Sequence, residues 1–170
     1  MRPTVFLVTF AFASILLAQT NTHSNHNHPA NVVIDGAVHP ELIPDSVAYR
    51  LYFVTVSEMP TPTDEQKARQ SAHLAKIGLQ DADLHTVIFV LEDFKVQYTN
   101  LVARYNESAD TAQKSGEKPD IHGFLLQRDG LVQATRERMK SLLTPDGFSR
   151  LEAHVQAEKQ KMKISPQEGQ

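Results

Sequence analysis

Apolar residues recur at helical spacing along most of the chain. Between residues 81 and 105, Leu84, Val87, Ile88, Leu91, Phe94, Tyr98, Leu101, Val102 and Tyr105 follow one another at intervals of three and four. That interval lays one continuous stripe on a helix. Residues 121–143 resume the pattern with Phe124, Leu125, Leu131, Val132, Met139 and Leu142, although Gly123 and Gly130 weaken it. Each glycine costs about 1 kcal/mol against alanine inside a helix. Phe148, Leu151, Val155 and Met162 give a last helix its buried face.

Local signals set the boundaries. Thr63-Asp-Glu-Gln66 is a capping box, in which Thr and Gln each satisfy a backbone N–H of the first turn. It opens a helix through Ala68, Ala72, Leu74 and Ala75, which Gly78 closes in the left-handed conformation with Leu79 as its apolar contact. Thr144-Pro145-Asp146 starts the last helix, with Thr as cap and Pro at the first position. Pro44 and Asp45 start another that runs to about Ser57, where Val47, Val54 and Val56 leave a strand open as the alternative. Met59-Pro-Thr-Pro62 interrupts the regular structure. Residues 106–119, polar and carrying Gly116 and Pro119, read as a long connection or a frayed helix end followed by a loop. Five helical segments without period-two runs predict an all-α fold, four to five helices in a bundle or in paired hairpins.

The start of the chain has a different character. Met1-Arg2 precedes an apolar run from Val5 to Leu17, closed by the small Ala18. A basic start, a short apolar run and a small residue describe a secretory signal peptide, and the run is shorter than the roughly 20 residues of a membrane span. The expected organisation is a signal peptide at 1–18, a polar His-rich tether at 19–40, a helical domain at 41–164 and a tail at 165–170. Within the tether, Val32-Val33-Ile34 before Asp35-Gly36 reads as a short extended segment and a turn. The expected location is the periplasm or the exterior.

Composition narrows the function. The chain has no cysteine, hence no disulfide framework and no thiol nucleophile. A net charge of −3 is too small to imply a nucleic-acid or membrane partner. No nucleophile elbow, phosphate loop or dinucleotide fingerprint occurs, so no catalytic residue is assigned and the chain reads as a non-enzyme. Glu92 and Asp93 are adjacent and diverge by about 100° on a helix. Asp81 and Asp83 sit at a helix start, where the dipole and capping account for them. His154 and Glu158, four apart, read as a surface pair.

Two chemical features remain. His23, His26 and His28 place three imidazoles within six residues, a set that suits zinc or copper or else forms a solvated spacer. The stripe over residues 84–105 is either core or, in an open bundle, an interaction surface. Leu84, Ile88, Leu91, Phe94 and Tyr98, with the basic patch Lys159, Lys161 and Lys163, are the candidate partner-binding residues.

The helix starts Pro62-Thr63-Asp64-Glu65-Gln66 and Leu143-Thr144-Pro145-Asp146-Gly147 resemble the Leu-Thr-x-x-Gln motif of the periplasmic Spy/CpxP-like proteins. The first has Pro for Leu and the second Gly for Gln. The resemblance implies an exported all-helical protein, an ATP-independent chaperone or metal-stress sensor that binds unfolded or partner protein, often as a homodimer.

Overall fold

The computed structural model describes residues 33–57 and 62–165. The signal-peptide segment and His23, His26 and His28 lie outside the described residues. The described chain is all-α: α1 (Asp45–Val56), α2 (Asp64–Ala75), α3 (Asp81–Ser115), α4 (Ile121–Leu142) and α5 (Pro145–Lys159). Two short strands, β1 (Ile34–Asp35) and β2 (Lys163–Ile164), pair antiparallel, with Ile34 opposite Ile164.

The segment left open between helix and strand is α1, and it is the centre of the molecule. Val47, Ala48, Tyr49, Tyr52, Phe53 and Val56 are all buried. It packs on α2, α3, α4 and α5, and a helix contacted on most sides loses the narrow stripe that marks a surface helix. Its Phe53 ring stands edge-on to Phe94 of α3 at 5.2 Å and tilted against Tyr49 at 5.5 Å. Val87, Val90, Leu91, Val132, Met139, Leu151 and Val155 complete this core. Each such side chain contributes about 1.5–3 kcal/mol on burial.

α3 and α4 form a long antiparallel hairpin. Tyr105 stacks on Phe124 at 4.4 Å near its turn, and Asp93 pairs with Arg138 farther along. The expected connection at 106–119 is largely helix. α3 runs on through Glu107, Ala109 and Ala112, and stops only where Gly116 takes φ +77°. Extending a formed helix adds a hydrogen bond per residue fixed, so polar composition alone did not end it.

Both threonine starts are as the sequence predicts. Gln66 N donates to Thr63 Oγ1 at 3.3 Å while Thr63 N donates to Gln66 Oε1 at 2.7 Å. Thr144 Oγ1 accepts from Gly147 N at 3.0 Å. Gly78 takes φ +70° as expected. Pro44, expected as the first helical residue, is instead the residue before it.

The tether boundary at residue 40 shifts. Ile34 and Asp35 belong to the sheet, Gly36 N donates to Met162 O at 2.8 Å, and Pro40–Leu42 form a 3-10 turn. Ile34 and Met162 pack on the buried Ile43, Val47 and Ile164, which is what holds this segment to the domain.

Candidate functional site

α3 has two faces with different fates. Of the stripe residues proposed for partner binding, Leu91 and Phe94 are fully buried. Leu84, Ile88 and Tyr98 are half-buried against the same core. The stripe is core because α1 and α4 cover it.

The other face is open. Phe89 is 58% exposed and Val96 44% exposed. At 100° per residue, Phe89, Asp93, Val96, Asn100, Arg104 and Glu107 share this side of α3, turned away from Leu91 and Phe94. Between it and α4 lies an open depression of about 830 Å³. Its wall carries Gln97, Asn100 and Arg104, and α4 contributes Gln127, Gly130 and Ala134. A β-carbon at Gly130 would meet nothing within 4 Å. Arg138 lies over the Phe89 ring at 5.3 Å and also pairs with Asp93, which fixes the upper end of the face. This side offers exposed apolar surface at Phe89 and Val96, with amide and charged groups along the wall. In sequence the signal is faint: Phe89 and Val96 are two apolar residues seven apart that lie off the main stripe.

Because the space over Gly130 is open, Gly130→Ala is expected to raise stability by about 0.5–1 kcal/mol through helix propensity alone. Urea denaturation checks this, and a destabilised variant would mean that the depression is already occupied.

The basic patch is distributed among ion pairs. Lys159 is buried and its Nζ donates to Asp45 Oδ1 at 2.5 Å. Its hydrogen bond holds the Asp45 carboxyl below the usual range. Lys161 pairs with Glu158 at 2.5 Å, and Lys163, which lies on β2, with Asp35 at 2.9 Å. Lys159 therefore joins α5 to the start of α1, and the three lysines do not form a free cationic surface.

His154 and Glu158 also depart from the surface reading. They line a small cleft of about 90 Å³ with Tyr52, Thr55 and His73. The His154 side chain is 13% exposed, 4.0 Å from Glu158, and edge-on to the Tyr52 ring at 5.6 Å. Burial pushes the Tyr52 hydroxyl up and His154 down from their ordinary values. Lys161, Lys76 and His73 lower His154 further, while Glu158 opposes them. Among the described residues, no three His, Asp or Glu side chains are placed to hold a metal ion.

A histidine depressed in the folded state binds its proton more readily when unfolded, so acid favours unfolding. Stability is expected to be complete above the ordinary histidine value of 6.5 and to fall as pH drops through it. The Lys161 hydrogen bond lowers Glu158, which adds a further loss at more acidic pH. His154→Gln is expected to flatten the loss between pH 7 and 5. Urea midpoints across that range test it, and an unchanged slope would assign the loss to other groups.

Among the described residues no helix is long and apolar enough to cross a membrane. Compared with known proteins, the chain matches no family model, no curated protein and no solved structure.

Proposed function

We propose that this chain is an exported, chaperone-like protein-binding domain that works without ATP or cofactor and holds protein segments on the open face of the α3–α4 hairpin. The observation that carries the reading is the pairing of exposed Phe89 and Val96 with the adjoining depression. The core already takes Leu91 and Phe94, while Phe89 and Val96 stay exposed outside it. The apolar run from Val5 to Leu17 supports export, and the resemblance to Spy/CpxP-like proteins supports client binding.

A chain beginning at Gln19 is expected to suppress aggregation of a chemically unfolded client, followed by light scattering. Phe89→Asp should remove most of that suppression while leaving the helical circular dichroism intact. No suppression by the parent chain, together with no binding of a hydrophobic dye, would sink the reading.

A second reading, metal binding, rests on His23, His26 and His28. Three imidazoles on one short segment can reach a single zinc or copper ion. Deleting residues 19–30 is expected to abolish metal binding measured by calorimetry, whereas retained binding would place the site elsewhere.

A further inference from the structure

α2 is the helix least fastened to the domain. Its inward side carries Gln66, Gln70, His73 and Leu74, and of these Leu74 alone is buried, whereas every other helix buries four residues or more. Ala68, Ala72 and Ala75 face solvent. Gln70 Nε2 donates to Val56 O at 3.0 Å, and beyond the helix end Arg150 Nη1 donates to Gly78 O at 3.3 Å. The buried Ile77 adds one apolar anchor. Gly78, at φ +70°, follows as a residue whose backbone turns without side-chain hindrance. A segment with so few buried apolar contacts belongs to the low-stability end of a fold.

What α2 covers is a cluster of titratable groups. The cleft beneath it sets His73 of α2 against Tyr52 and Thr55 of α1 and against His154 and Glu158 of α5. Lys76, at the end of α2, and Lys161, just past α5, act on the same His154 ring. Glu158 stands 4.0 Å from His154 and is engaged by Lys161 at 2.5 Å. Among the described residues, the buried Tyr52 hydroxyl finds no hydrogen-bond partner. A buried polar group without a partner costs free energy that solvent restores once it is exposed. The closed position of α2 therefore carries a standing penalty.

We infer that α2 is an acid-released flap: a proton on His154 drives it away from α1 and α5 and uncovers Tyr52 and Val56. A charged His154 faces Lys76 across the cleft and Lys161 on its own side, with the His73 imidazole opposite and a carboxylate already committed to Lys161. The sign follows from linkage. Burial lowers His154 in the closed position, and exposure returns it towards the ordinary value of 6.5. The open position therefore takes the proton more readily, and release grows as pH falls through that value. The device is separate from the α3–α4 face, which is exposed with α2 in either position.

The chain has no cysteine, so two introduced thiols report one distance. In the full chain, Ala72→Cys on α2 and Ala153→Cys on α5, both exposed, carry spin labels. Pulsed electron resonance is expected to give one short separation at pH 7.5. At pH 5 a second population should appear, longer by about 10 Å, the thickness of one helix. The control pair Ala134→Cys and Ala153→Cys, between α4 and α5, should keep its separation at both values. Lys76→Glu, an exposed change that turns repulsion into attraction, should hold the short separation at pH 5. His154→Gln should do the same by removing the titrating group.

An unchanged α2–α5 distance at pH 5 would overturn the proposal, as would opening of either variant to the extent of the parent. Lengthening of the control pair together with the first would also overturn it, since the domain would then be unfolding as a whole.

Discussion

Gly147→Ala is expected to cost about 2–4 kcal/mol, combining an overpacking penalty with damage to a hydrogen bond on a charged group. Asp83, in the first turn of α3, is buried. Its Oδ1 accepts from Thr144 N at 2.9 Å and its Oδ2 from the Thr144 hydroxyl at 2.5 Å. That same hydroxyl accepts from Gly147 N. Thr144 thus relays the α3 carboxylate to the first turn of α5. A β-carbon at Gly147 would stand 2.6 Å from Asp83 Cγ and closer still to Oδ2. Asp83, already committed to Thr144, has to move.

The coupling can be measured. In an Asp83→Ala background the carboxylate is gone, and Gly147→Ala should become neutral or mildly stabilising, since alanine is the better helix former. A double-mutant cycle on urea denaturation reads the difference. Equal costs in both backgrounds would show that Asp83 does not set the need for glycine. Gly147 is also the position at which the Leu-Thr-x-x-Gln pattern would carry Gln, and Asp83 fills the space that a side chain there needs.

Gly36→Ala is expected to release β1 from the domain at a cost of about 2–3 kcal/mol, the scale of one exposed large aliphatic side chain with a lost hydrogen bond. A β-carbon there would lie 2.9 Å from Ile43 Cδ1 and from the Lys159 carbonyl carbon, and nearer still to that carbonyl's oxygen. The obstacle is backbone at the end of α5, which has little freedom to yield. Moving the strand off would break the Gly36 N to Met162 O bond and expose Ile164, now 2% exposed. Amide hydrogen exchange is the direct readout: protection at Gly36 and Ile164 should fall while the α1 amides keep theirs. Retained protection would mean that the strand accommodates the methyl group.

Both predictions turn on contacts remote in sequence, and this separates what could be read early from what could not. Asp83 carries every mark of an ordinary first-turn acid, and its composition and position fit a dipole role. Only the return of the chain 61 residues later makes it a buried acceptor for Thr144. Lys159 likewise reads as one of three lysines near a helix end, until folding sets Asp45 against it. The candidate face shows the same division. The stripe over residues 84–105 announces a buried side of α3, but it does not say which of two apolar sets stays outside.

Sequence by itself determined the helical class, both threonine starts and the left-handed stop at Gly78. Those features depend on residues within a turn or two, where spacing and capping chemistry act directly. Tertiary structure alone decided that α1 is a central helix rather than a strand. It also decided that α3 continues to Gly116, that the lysines pair with carboxylates, and that Phe89 and Val96 remain exposed. Each of these depends on which surface a neighbouring element covers, and the pattern along one segment carries no record of its neighbours.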